Sequence, residues 1–303
     1  MRIRRISALL TVIAVMLTGC SPKPQEPHLK LRDDLMGTFM SITAYGENAQ
    51  EAVASAFERI EEIESAVLHE STYDTEVLMH LSYNALKITD GAFNHMLGSL
   101  IELWGIGTDD ERVPAQEEIE AALADNSKIN LGAIAKGFAA GEAAQVLVTH
   151  GIESALIELG GDIHVLGTKP DGSPWRIGLR SPLGDGAVIG SIELPGNMSM
   201  MTSGSYERYF EQDEIRYHHI LDPVAGYPAD SGLLSVTVLY DNPALADAYS
   251  TALFVMGLER GIEFAGADKG MSAIFITEEL NVYLAGGLAQ AFNLADNRFG
   301  IAS

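Results

Sequence analysis

Between Ser203 and Pro228, SGSYERYFEQDEIRYHHILDPVAGYP, the sequence gathers more side chains able to bind or react than any other stretch. Tyr206, Arg208, Tyr217, His218, His219 and Asp222 lie between two turn signals, Ser203-Gly204 and Asp222-Pro223 with Gly226 and Pro228. His219, beside His218, suits a general base or a ligand donor. Arg208 suits a phosphate contact or a salt bridge across a hairpin. Further on, Asp247 and Thr251 stand four apart near the start of a helix, so a carboxylate and a hydroxyl share one face. Two such oxygens fit a hard cation such as Mg²⁺, and no Cys/His cluster points to zinc. The same pair also fits a solvated acid in a first helical turn. Lys136, in Gly132-Ala133-Ile134-Ala135-Lys136-Gly137, sits where a glycine-flanked turn opens a helix, a place that suits a phosphate, although the spacing is not that of a P-loop.

These side chains need a scaffold, and the sequence punctuates one. Asp34–Tyr45 reads as a first strand with Met36-Gly37-Thr38 at its start. Over Asn48–Leu68, Ala52, Ala56, Ile60, Ile63 and Val67 recur at helical spacing. Ser71-Thr72-Tyr73-Asp74 is a polar loop; helices follow over Glu76–Thr89, Asn94–Leu103 and Pro114–Ala124. Asn130–Leu147 begins as a strand end and becomes an Ala-rich helix. Ala155–Leu159 and Ile163–Leu166 flank Gly160-Gly161-Asp162, a hairpin signal. Trp175–Arg180, Ala187–Leu194 and Met198–Thr202 read as short strands, Ser203–Pro228 as a hairpin closed by a polar loop, and Leu233–Tyr240 as a strand. Asn242 caps the next helix, Pro243 opens it and Gly257 ends it. Ser272–Ile276 and Val282–Ala285 close with a hairpin. Strands and helices mix without a repeat or a composition break, which predicts a single α+β domain over residues 31–303.

The 303 residues, 47% of them hydrophobic, suffice to bury a sizeable core. The formal charge of −23 deepens to −26 without residues 1–19, which hold Arg2, Arg4 and Arg5 and no acid. Nucleic acid is thereby excluded as a partner, because a phosphate backbone demands a basic surface. An anionic small ligand requires a metal or a local cation to offset the field. The three arginines, the apolar Ile6–Leu17, too short to span a bilayer, and Leu17-Thr18-Gly19-Cys20 together read as a lipoprotein signal peptide over 1–19. Cys20, the chain's one cysteine, then becomes a lipidated (palmitate-bearing) N-terminus, and residues 20–30, with SPKPQEP, a tether from the membrane. The expected location is extracytoplasmic and membrane-anchored.

SGSYERYF…YHHILDPVAGYP resembles a stretch of the FAD:protein FMN transferases, the ApbE family. Met36-Gly37-Thr38, Ser71-Thr72-Tyr73, Gly91-Ala92-Phe93-Asn94, NLGAIAKG, Leu159-Gly160-Gly161-Asp162 and Ala246-Asp247-Ala248…Thr251 follow in the family's order, so the likeness covers nearly the whole mature chain. The resemblance implies an α+β fold enclosing FAD as substrate, with Mg²⁺ on its pyrophosphate. By matching positions, Asp247, Thr251 and the backbone carbonyl of Ala133 are the expected metal ligands. Met36, Tyr73, Ala92, Phe93, Asn94, Asn130, Lys136 and His218 are the expected FAD contacts, and His219 stands nearest the chemistry. Many members have Asp where this chain has Asn94 and Asn130; an amide still hydrogen-bonds but cannot be a carboxylate base, which leaves His219 or Asp222. The implied reaction is attack of a Thr or Ser hydroxyl of an acceptor protein on the FMN-side phosphorus of FAD, with AMP leaving. Expected acceptors are extracytoplasmic flavoproteins, such as subunits of membrane ion-pumping oxidoreductases. Two other readings stay open: a Mg²⁺-dependent FAD pyrophosphatase, which uses the same site with water as nucleophile, and a lipoprotein that captures a flavin or another solute without turnover, which needs neither the Asp247/Thr251 pair nor a metal.

Overall fold

The computed structural model describes residues 26–69 and 72–302. The expected signal peptide, Cys20 and Ser71 lie outside this range. Its first element corrects the expected single strand: β1 (His28–Leu35) and β2 (Thr38–Tyr45) form an antiparallel hairpin turning at Met36-Gly37, both with positive φ. The final residues assigned to the tether are thus part of the sheet. Five helices follow, α1 (Ala49–His69), α2 (Tyr73–Ile88), α3 (Gly98–Trp104), α4 (Gln116–Ala124) and α5 (Gly132–Thr149). Then come β3 (Ser154–Leu159), β4 (Asp162–Leu166), β5 (Trp175–Arg180), β6 (Val188–Leu194) and β7 (Met198–Gly204). The hairpin β8 (Tyr209–Gln212) and β9 (Ile215–His218) precedes β10 (Leu233–Tyr240) and α6 (Pro243–Ala267). The chain closes with β11 (Ser272–Thr277), β12 (Asn281–Ala285), β13 (Phe292–Leu294) and β14 (Gly300–Ile301). Among the described residues no helix is long and apolar enough to cross a membrane.

A nine-stranded sheet, ordered β1-β2-β3-β4-β7-β10-β11-β12-β14 and antiparallel except for β12 with β14, divides the molecule. Strand alternation feeds two cores: on β11, Ala273 and Phe275 face the helices, whereas Ile274 and Ile276 meet the small sheet β13-β6-β5. The result is three layers of one α+β domain, helices, large sheet, small sheet. Several predicted boundaries move for local reasons: α2, expected from Glu76, already starts at Tyr73 because Thr72 caps it, its side chain accepting from the Thr75 amide. Asn94 Oδ1 accepts from the Met96 amide at 2.9 Å, making a polar turn, so α3 starts only at Gly98. Asn130 has no strand partner; its N–H bonds His95 O at 2.8 Å and its Oδ1 takes the Gly132 N–H at 2.8 Å.

Helices α5 and α6 approach too closely for a side chain between them. A Cβ on Gly137 would overlap the Pro243 carbonyl oxygen and lie 2.8 Å from Asp247 Cβ, and one on Gly141 would lie 2.8 Å from Pro243 Cγ. Asn242 caps α6 by accepting from the Leu245 amide at 3.0 Å. Gly257, the expected end of α6, is instead a kink at φ 75, and the helix resumes to Ala267. Arg59 of α1 fastens three helices, holding both oxygens of Asp74 on α2 at 2.7 and 2.6 Å and Glu142 of α5 at 2.7 Å.

Two buried histidines set an acid limit on this fold. His218 accepts the Ile220 amide at Nδ1 and donates Nε2–H to Ala229 O, so a second ring proton would face an N–H. Burial lowers His218 to about 4, and burial likewise lowers His164, whose Nδ1 faces Ser199 Oγ, to about 4. Their folded values lie below the unfolded one, so the unfolded chain binds more protons and stability falls as pH drops below about 6.5. Each ring should cost about 2 kcal/mol at pH 5. Carboxylates held by hydrogen bonds act lower, with Glu118, bonded by Arg112, and Asp125, bonded by Ser127 and Ser99, both at about 2. Denaturant titrations at pH 7 and pH 5 should therefore show a loss of several kcal/mol; equal midpoints would disprove the assignment.

Candidate active site

A cavity of about 780 Å³ opens between the helices and one end of the sheet. That is within the range of roughly 300–1,000 Å³ that ligand sites occupy. Its wall is assembled from turns: Met36-Gly37 of β1–β2, Ala92-Phe93-Asn94, the start of α5, Gly160-Gly161 of β3–β4, the end of β7, Tyr206–Arg208, and the first turns of α6. The turns meet there because glycines let them: Gly160 N donates to Phe39 O at 2.8 Å, and a Cβ on Gly160 would run into Thr38.

Asp247 is the buried anchor of the site. Its Oδ2 accepts the Gly137 N–H at 2.9 Å, which leaves the other carboxylate oxygen for a ligand. Burial raises its carboxyl above the usual range, opposed by the nearby Lys136 ammonium and the Gly137 amide. One turn on, Thr251 Oγ1 lies 3.0 Å from Ser203 Oγ, which is 2.8 Å from Ser250 Oγ. Ala133, Asp247 and Thr251 all line the cavity, and a backbone carbonyl, a carboxylate and a hydroxyl are donors of the hard-oxygen kind that Mg²⁺ takes. Among the described residues there is no group of three or more His, Cys, Asp or Glu that could hold an ion alone.

Lys136 is engaged by Asp162 Oδ2, while Asp162 Oδ1 accepts the Thr202 amide at 2.8 Å. Burial alone would lower Lys136; Asp162 and Asp247 outweigh it and hold the ammonium charged. His219 lies in the wall, its Nδ1 3.2 Å from Arg208 O. A carbonyl only accepts, so Nδ1 carries the proton and Nε2 is the acceptor. Burial lowers His219 to about 4, which keeps it neutral at pH 7. Glu64, from α1, holds the Met36 amide at 2.6 Å and fixes the β1–β2 turn.

The structure thus brings together Met36, Ala92, Phe93, Asn94, Asn130, Ala133, Lys136, His219, Asp247 and Thr251. Three expected contacts stand apart. Tyr73 begins α2 and is 79% exposed, outside the wall. His218 points into the core, edge-on to Phe254, because neighbours on an extended strand face opposite sides. Asp222 is consumed by its own turn, where Oδ1 accepts the Val224 and Ala225 amides at 2.7 and 3.0 Å. Sequence reasoning missed Asp162, Arg180, Ser203 and Ser250. An acid opening an otherwise apolar strand was the available signal for Asp162, and the i, i+3 relation to Asp247 for Ser250.

The sequence model of the ApbE family matches residues 36–275. A Klebsiella pneumoniae protein named FAD:protein FMN transferase is 37% identical over 245 residues, covering 74% of this chain and 75% of its own length. One of the same name from Treponema pallidum is 35% identical, covering 69% and 67%. The ApbE protein of Thermotoga maritima superposes with a TM-score of 0.76 at 32% identity, covering 84% of this chain and 95% of that one. The flavin transferase ApbE of Vibrio cholerae superposes at 0.75 with 26% identity, covering 88% and 100%.

Proposed function

Because the chain belongs to the ApbE family, we propose that it is an FAD:protein FMN transferase whose Mg²⁺ ion is held by Ala133, Asp247 and Thr251. The hydroxyl oxygen of an acceptor Thr or Ser attacks the FMN-side phosphorus of FAD, the bond to the bridging pyrophosphate oxygen breaks, and AMP leaves. A phosphoester joins FMN to the acceptor, and the hydroxyl proton passes to His219 Nε2. A base lowered to about 4 suffices when the transition state is loose, since the nucleophile need not be deprotonated early. When bound, the ion offsets charge on the pyrophosphate. The chain's own part is positional: Asn130 and Gly132 shape the start of α5, Lys136 presents a cation, and Gly137 fixes Asp247 against that turn.

The observation that carries this reading is the meeting in one cavity of the α5 N-terminus, Lys136 and Asp247. The wall holds five carboxylates against three cations, so a pyrophosphate needs the added charge. In the same reading Cys20, outside the described residues, carries lipid and places the enzyme at an extracytoplasmic membrane face. Its acceptors there are flavoproteins such as subunits of ion-pumping oxidoreductases. The order of Arg2, Arg4, Arg5, the apolar Ile6–Leu17 and Leu-Thr-Gly-Cys supports it. Incubation with FAD, Mg²⁺ and a candidate acceptor should release AMP and add the mass of FMN to a Thr or Ser peptide, and EDTA should abolish both. AMP and free FMN without an adduct on any acceptor would make the protein a pyrophosphatase. Flavin binding with no AMP would make it a carrier.

A further inference from the structure

Resting on the transferase reading, we propose that Arg180 and Arg208 form a two-guanidinium clamp on the pyrophosphate of FAD. Both line the cavity, and among the described residues neither is engaged in an ion pair. They come from distant places, the end of β5 in the small sheet and the approach to the β8–β9 hairpin. The glycine turns bring them to one rim. Arg208 lays its stem on Gly107, whose Cβ would be 3.6 Å from Arg208 Cδ, and its head on Gly37, whose Cβ would be 3.7 Å from Nη2. The Arg180 guanidinium covers Gly161, with Nη2 3.0 Å from where a Cβ would stand. Gly37 and Gly161 belong to the two turns joined through Thr38, Phe39 and Gly160, so the two guanidinium groups rest on adjoining turns of the same cavity wall.

The remaining charges in the wall define what such a pair is for. Lys136, the third cation, is committed to Asp162. Glu64, Glu158 and Asp247 are each engaged by a backbone amide or a hydroxyl, through Met36 N, Ser41 Oγ and Gly137 N. Glu207, beside Arg208, is the fifth carboxylate of the wall. Two uncommitted guanidinium forks therefore face a cavity that must accept an anion in a strongly acidic protein, and the fork geometry matches phosphoryl oxygens. Arg208 is also tied to the chemistry, because its carbonyl takes both the His219 amide at 3.0 Å and His219 Nδ1 at 3.2 Å. One short segment thus fixes the base and a phosphate ligand together.

The test is equilibrium binding of FAD, ADP and riboflavin without acceptor, with Mg²⁺ and again in EDTA, followed by flavin fluorescence or calorimetry, for wild type, Arg180→Gln, Arg208→Gln and the two Lys variants. Each Gln variant should weaken FAD and ADP by roughly tenfold or more. Riboflavin, which has no phosphate, should bind unchanged. Lys should restore part of the affinity by returning charge without the fork. The salt dependence of FAD binding should flatten in the Gln variants. Equal FAD affinity in wild type and variants, with acceptor KM raised instead, would overturn the clamp and assign the arginines to the acceptor. Parallel loss of riboflavin and FAD would overturn it as a packing defect, with a melting curve run beside each titration. The transferase reading fails separately, if wild type with Mg²⁺ and acceptor yields no AMP.

Discussion

Asp247→Asn lowers AMP release and acceptor modification by about 10²–10³-fold at limiting Mg²⁺, on the order of 3–4 kcal/mol in the barrier, with little change in melting temperature. The two effects separate because the carboxylate serves the site at some expense to the fold. It is 5% exposed and its charged form is disfavoured by burial, so an amide of the same shape relieves desolvation. The amide oxygen still accepts the Gly137 N–H. What disappears is the negative charge that a divalent ion requires, and if weakened ion affinity is the cause, raising Mg²⁺ should recover part of the rate. AMP release followed across a Mg²⁺ titration, wild type beside variant, decides it. Equal rates at limiting Mg²⁺ would remove Asp247 from the metal site.

Gly137→Ala should destabilise the protein by several kcal/mol, although helix propensity alone predicts a gain of about 1 kcal/mol for alanine inside α5. The added methyl would overlap the Pro243 carbonyl oxygen and come within 2.7 Å of its carbon. This is backbone, which no rotamer change can clear, so α5 and α6 must part. Parting them also withdraws Asp247 from the Gly137 amide, and FAD affinity should fall along with the melting temperature. Gly141→Ala is the milder control, since its new neighbour at 2.8 Å is the edge of the Pro243 ring. The sign of the Gly137 effect carries the test: a variant as stable as wild type or more so would mean that the helices are not held this closely.

Periodicity and punctuation made much of the fold legible. The apolar stripe of α1, the Gly160-Gly161 hairpin and the Asn242-Pro243 start of α6 are local signals with local causes, and each stands in the structure. β1 was hidden because it is an edge strand. Its buried residue is Leu35, while Leu29 and Leu31 are exposed and charges fill much of the remainder, so HLKLRDDL reads as a polar lead-in. The Asp247–Thr251 spacing and the Lys136 turn were legible as chemistry, yet their meeting depends on Gly137, whose role lies in what another helix needs. Asp162 and Arg180 escaped because their relations span distant positions: Lys136 to Asp162, and Gly161 to Arg180. His218 was expected from matching family positions and Asp222 as the acid left once Asn94 and Asn130 were set aside; neither argument carries the local geometry that turns His218 toward Phe254 and engages Asp222 Oδ1 in its own turn.

The β1–β2 hairpin also determines how the domain takes a pull. Tension arriving through the residues before His28 enters β1 at the end opposite its turn, where His28 pairs with Ala44. Loaded there, an antiparallel hairpin unzips one pair at a time instead of shearing all its bonds at once. The front of opening must pass Arg32, held to Glu61 of α1 at 2.7 Å, before it reaches Leu35 and the Met36-Gly37 turn. The ion pair acts as a catch halfway along the strand. The cavity, whose wall begins at Met36, is therefore the last part of the hairpin to feel such a load, and the outer half of β1 would act as a mechanical fuse between the cavity and any pull on the residues before it.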